Sequence, residues 1–133
     1  MNKIDLSKTT LRELNSKLQQ SKENENWLVT NPKGNHALAV GLDNFINVKI
    51  DGSTGYYCAG MNKKASIQVN GSVGPGVAEN IMSGKLIVEG NASQYAGATG
   101  HGGILVIKGN ASSRCGISMK GINIIIKGNI GHM

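Results

Sequence analysis

One spacing limits what this chain can fold into more than any other feature. Gly52, Gly71, Gly90, Gly109 and Gly128 follow one another at intervals of 19 residues without exception. The columns beside the glycine repeat with it. Two positions earlier stand Ile50, Val69, Val88, Ile107 and Ile126, and four positions earlier Val48, Ile67, Leu86, Leu105 and Ile124. The residue just before the glycine is Asp51, Asn70, Glu89, Lys108 or Lys127, each suited to water. Alternation of this kind is the mark of a strand with one buried face. A short unit with one strand and a glycine-rich return cannot bury its own apolar side, so copies must stack and share a core. The reading is an all-β fold, a single-stranded β-helix or β-solenoid with 19-residue coils. A coil of 19 does not fit the hexapeptide rule of left-handed solenoids, so a right-handed coil is expected.

The return half of each unit repeats as well. After the glycine comes a small polar residue, Ser53, Ser72, Asn91, Asn110 or Asn129, a set able to hydrogen-bond as a ladder along the axis. Cys58, Val77, Ala96 and Cys115 share a column fit for the interior. Gly60, Gly84, Gly97, Gly100, Gly102, Gly103, Gly116 and Gly121 are read as bends at positive φ. Nineteen glycines in 133 residues call for such a structural reason.

Residues 1–44 differ in kind and are read as an N-terminal helix with capping strands, ahead of repeats over 45–133. Thr10-Leu11-Arg12-Glu13 has the form of a capping box, and Leu11, Leu14 and Leu18 make one helical face. Trp27 to Thr30 reads as a strand, Asn31-Pro32-Lys33-Gly34 as a turn, and His36 to Val40 as a second strand. The segment is expected to cover the open end of the solenoid, whose bare edge would otherwise pair with other chains.

Composition excludes several functions. No run of about 18 apolar residues exists and Asp5, Arg12 and Glu13 interrupt the first twenty positions, so neither a membrane span nor a secretory signal is expected and the chain is read as cytoplasmic. A net charge of +6 invites nucleic acid, but the lysines are scattered and aromatics are only 4% of residues. Solvated surface charge is the better reading. Cys58 and Cys115 lie three periods apart, about 14 Å, too far for a disulfide. His36, His101 and His132 show no metal-ligand spacing. Gly100-His101-Gly102-Gly103 looks like a phosphate loop but leads into a strand, Ile104 to Lys108, and not a helix. No catalytic, cofactor-binding or metal-binding residue is assigned. Tyr56, Tyr57, Tyr95 and Arg114 fall four or five residues past the repeat glycine and form a candidate interface stripe, of residue types favoured at contacts. Cover for the solenoid's own flank is the competing reading.

The stretches Gly52-Ser-Thr-Gly-Tyr-Tyr-Cys-Ala-Gly60, Gly71-Ser-Val-Gly-Pro-Gly-Val-Ala-Glu-Asn80, Ser93-Gln-Tyr-Ala-Gly-Ala-Thr99 and Gly109-Asn-Ala-Ser-Ser-Arg-Cys-Gly-Ile-Ser-Met-Lys-Gly121 resemble the GXGXG domain. That domain forms the carboxyl end of the glutamate synthase large subunit, a free-standing subunit of N-methylglutamate synthase, which this chain resembles most, and part of formylmethanofuran dehydrogenase. The resemblance implies a non-catalytic structural subunit of a glutamate-synthase-like complex. It also implies partners: a class II glutamine amidotransferase-like subunit and an FMN-binding subunit, with FMN and an iron–sulfur cluster held there and not here. Members that resemble this chain continue through further coils, whereas here the fifth coil lacks its return. A truncated member, or a solenoid completed by a partner, is expected, with self-association through the open carboxyl-terminal coil as a further expectation. The alternatives are a self-contained β-solenoid binding module and the related subunit of formylmethanofuran dehydrogenase.

Overall fold

In a computed structural model, residues 2–112 and 115–130 are described. Seven strands form one sheet in sequence order: β1 (Asn2–Asp5), β2 (Asn26–Thr30), β3 (Asn47–Asp51), β4 (Ser66–Val69), β5 (Lys85–Val88), β6 (Ile104–Ile107) and β7 (Asn123–Ile126). Every neighbouring pair is parallel. Parallel neighbours with no intervening crossover other than the coil itself define a β-solenoid, as the period requires. The step shortens and then locks. Asn2 stands opposite Trp27, 25 residues on, Trp27 opposite Val48, 21 on, and every later partner is 19 on.

The register sorts the side chains as the alternation predicts. Ile50, Val69, Val88 and Ile107 are consecutive rungs and are fully buried, as are Leu86 and Leu105 in the neighbouring inner column. Each such side chain contributes roughly 1.5–3 kcal/mol by leaving water. β7 is an edge strand, and its inner residues Ile124 and Ile126 are half-buried. Asp51, Lys108 and Lys127 point to solvent, and Lys108 Nζ reaches Glu89 Oε2 of the coil before it at 2.8 Å.

The leader joins the solenoid and adds to it two rungs, β1 and β2, of which only β2 is legible as a strand. Helix α1 (Leu11–Gln19) fills the return of the first coil. Thr10 Oγ1 accepts from Glu13 N at 3.1 Å, half of the expected capping box. The other half is altered: Glu13 Oε2 takes the Thr9 hydroxyl at 2.6 Å. Leu14 and Leu18 are fully buried, with Leu11 packed beside them, so the helix packs on the core, while β1 stands at the edge of the sheet. No strand forms over His36 to Val40. Ala37, Ala39 and Gly41 adopt left-handed φ there, and Asn15 of the helix holds the turn, donating to Ala37 O at 2.9 Å and accepting from Ala39 N at 2.8 Å.

Candidate functional site

The candidate interface residues lie on the return half of each coil, which the repeat glycine opens. At Gly109 an added Cβ would stand 2.3 Å from Asn91 Oδ1 and 2.5 Å from Gly90 O; at Gly128, 2.3 Å from Asn110 Oδ1. Consecutive coils touch backbone to backbone here, with Gly109 N donating to Gly90 O at 3.0 Å. At Gly71, Gly90, Gly109 and Gly128 close approach, and not positive φ, is therefore why the column is glycine, whereas Gly52 combines a φ of +137° with a close approach to Pro32. The next column is the polar ladder. Ser53 Oγ accepts from Ser72 N and Ser72 Oγ from Asn91 N, both at 3.0 Å, while Asn91 Oδ1 accepts from Asn110 N and Asn110 Oδ1 from Asn129 N, both at 2.8 Å. Parallel bridges Val73–Ala92, Ala92–Ala111 and Ala111–Ile130 lie alongside.

The turn that follows differs from its sequence reading. Left-handed φ does fall on Gly84, Gly97, Gly103, Gly116 and Gly121, but not on Gly60, Gly100 or Gly102. It falls as well on Tyr57, Ala59, Met61, Ala78, Asn80, Tyr95, Thr99 and Ser118, at alternate positions. A residue with a Cβ pays roughly 1–2 kcal/mol for that conformation. Hydrogen bonds between coils offset it. Tyr57 N donates forward to Pro75 O, Ala59 N back to Leu38 O and Met61 N forward to Glu79 O, all at 2.8 Å. Each rung is thus bound in both directions. Glycine counting could not find this pattern, because tertiary hydrogen bonds impose it on alanine, tyrosine and methionine.

Of the four candidate interface residues, Arg114 lies outside the described residues. Tyr56 is 50% exposed and stacks edge-on against His36, with ring centroids 3.9 Å apart. His36 Nδ1 accepts from Tyr56 N at 2.9 Å, an approach possible because Gly55 has no side chain to block it. Tyr57 and Tyr95 share one column with Gly76 between them. The Tyr57 ring folds over Gly60, where a Cβ would come within 2.4 Å of it, so that ring covers its own turn.

The remaining chemically tempting groups separate in space. Cys58 is fully buried and its thiol is pushed up to about 12 by burial, which the Thr54 hydroxyl beside it only partly opposes. Half-buried Cys115 is also raised by burial. Both are free thiols, as their spacing predicts, and neither has the depressed pKa of a nucleophile. His101 sits at an exposed corner, its backbone N donating to Ile81 O at 2.8 Å. Gly102 and Gly103 there pass close under Met82 O and Gly84 O, so they serve coil contact on entry to β6. Among the described residues no three of His, Cys, Asp and Glu gather as metal ligands, and no helix is long and apolar enough to cross a membrane.

One surface escaped the sequence reading. The outward column Lys49, Gln68, Ile87, Val106, Ile125 turns apolar from β5 onward, and Ile104 joins it from the adjacent outward column. The signal was present in β5–β7, which read Lys-Leu-Ile-Val, Ile-Leu-Val-Ile and Asn-Ile-Ile-Ile and not as alternating strands.

No protein-family model matches the chain, and no solved structure is significantly similar to it. Among curated proteins it is similar to Protein GlxC of Rhizobium meliloti (strain 1021), with 62% identity over 62 residues, 44% of this chain and 27% of that protein. The match thus spans about a quarter of the length of the curated relative.

Proposed function

We propose that this chain is a non-catalytic structural subunit of a glutamate-synthase-like complex, and within that class a subunit of N-methylglutamate synthase, which makes N-methylglutamate and ammonia from glutamate and methylamine. The carrying observation is the repeat itself: glycines whose coil-to-coil contact leaves no room for a Cβ, set in the sequence frame that resembles the GXGXG domain. The 62% identity to Protein GlxC over 62 residues supports kinship with a larger protein bearing the same stretch. In this reading the chain supplies a stiff cross-braced body, and its partners supply chemistry. A class II amidotransferase-like subunit would carry the glutaminase nucleophile, and an FMN-binding subunit the flavin and the iron–sulfur cluster.

The test is reconstitution. The chain is co-expressed with the amidotransferase-like and flavin subunits encoded nearest to it, and the assembly is sized and assayed with glutamate and methylamine. Stoichiometric co-elution is expected, with N-methylglutamate formed only when this chain is present and none by the chain alone. Full turnover by the other subunits without it would overturn the reading, and turnover by the isolated chain would overturn it in the opposite sense.

A further inference from the structure

The outer face of β5–β7 is built against expectation for a surface strand set. Ile125 is 50% and Ile104 39% exposed, with Ile87 and Val106 half-buried between them. Parallel sheets ordinarily have both faces covered, and their strands then read as unbroken apolar runs. β5–β7 read so, whereas β3, Asn-Val-Lys-Ile-Asp, alternates. Ile87 continues the patch into a shallow groove of about 210 Å³ beside Trp27, Lys49 and Gln68.

We infer that this face is the seat of an amphipathic helix with acidic flanks, presented by a partner protein. Three observations select that occupant. The first is spacing. Ile87, Val106 and Ile125 stand on successive rungs, about 4.8 Å apart, close to the 5.4 Å rise of one helical turn, so one apolar side chain per turn meets one rung over three turns. The second is charge. Lys85 borders the stripe on one side and Lys108 and Lys127 on the other; Glu89 is committed to Lys108, and Lys85 and Lys127 have no ion pair among the described residues. Carboxylates on both flanks of a helix meet that frame. The third is size. The apolar face over β5–β7 measures about 10 Å by 13 Å, some 130 Å², well short of the roughly 800 Å² per partner of a stable dimer but as wide as one helix. A second copy would also set its own Lys85, Lys108 and Lys127 against these. This inference deepens the scaffold reading and rests on it for the existence of a partner.

The probes are two fluorescent helical peptides with the same leucine stripe, one flanked by glutamates and one by lysines, titrated against the full chain in low salt. The glutamate-flanked peptide should bind at least tenfold more tightly than the lysine-flanked one. The double variant Val106→Thr/Ile125→Thr keeps β-branched side chains on an outward face and so keeps the fold, which its melting curve checks. It should weaken binding at least tenfold. Lys85→Glu/Lys127→Glu should reverse the preference. Equal binding of both peptides, or binding indifferent to the threonine variant, overturns the inference. So does a concentration-dependent dimer that the threonine variant abolishes, which would give the face to a second copy. A reconstituted complex that assembles unchanged with the threonine variant, while the peptide fails to bind, removes the seat and leaves the scaffold reading standing. Peptide binding without complex assembly does the reverse.

Discussion

Replacing Gly109 by alanine tests the central contact of the solenoid. The new methyl would stand 2.3 Å from Asn91 Oδ1 and 2.5 Å from Gly90 O, against an ordinary contact of at least about 3.4 Å. Coils must part by roughly 1 Å. That stretches two bonds across the same seam, Gly109 N to Gly90 O at 3.0 Å and Asn110 N to Asn91 Oδ1 at 2.8 Å, beyond useful length. Two hydrogen bonds between coils at about 0.5–1.5 kcal/mol each, with about 1–3 kcal/mol for overpacking, give a loss of about 2–6 kcal/mol. Gly34→Ala is the control. Its Cβ meets nothing within 4 Å, but its φ is +72°, so only backbone strain of about 1–2 kcal/mol applies. Urea unfolding followed by circular dichroism measures both. A Gly109→Ala loss no larger than that of Gly34→Ala would refute close approach as the reason for the column.

Val88→Asp, which places a carboxylate among buried rungs, should cost several kcal/mol, whereas Lys108→Asp, at an exposed ion pair, should cost no more than about 1 kcal/mol; equal melting losses would reverse inside and outside. Two thiols should titrate in the unfolded chain, but Cys58 should resist an aromatic disulfide reagent at pH 8 in the folded one. Because its folded pKa is raised to about 12, its contribution to stability is complete below the unfolded value of about 8.5 and is lost as pH climbs towards 12, so Cys58→Ala should flatten the alkaline limb of a stability profile. Asp5 is lowered to about 2, first by the Asn31 amide and then by the Ser7 hydroxyl and backbone N–H. Its contribution is complete above about pH 4 and disappears as pH falls through 2, and a carboxyl resonance titrating near 4 in the folded protein would contradict that assignment.

The strands were legible because their two constraints coincide: Ile50, Val69 and Val88 are forced inward by burial and are also the residues that repeat. The ladder was legible because serine and asparagine have few other reasons to recur at one phase. β1 escaped, since Asn-Lys-Ile-Asp has a single apolar residue and takes its conformation from Val29 and its neighbours across the sheet. The supposed strand at His36 failed for the opposite reason. Its apolar run from Ala37 to Val40 looks extended, but Asn15 and the coil above impose left-handed φ at Ala37 and Ala39. At the candidate interface, spacing puts Tyr57 and Tyr95 in one column but could not show that the Tyr57 ring lies over Gly60.

The ladder has a direction, and direction bears on how the protein is made. In every step from Ser53 to Asn129 the side-chain oxygen belongs to the earlier coil and the N–H to the later one. A ribosome delivers the acceptor first. At about 5–20 residues per second a 19-residue coil emerges every ~1–4 s, far longer than the ~10–100 ns in which a ten-residue loop closes. Each new coil therefore meets a finished template carrying an oxygen already aimed at the amide about to arrive. Growth can proceed one coil at a time, with long-range loop closure never exceeding a single coil after the first two strands are in place.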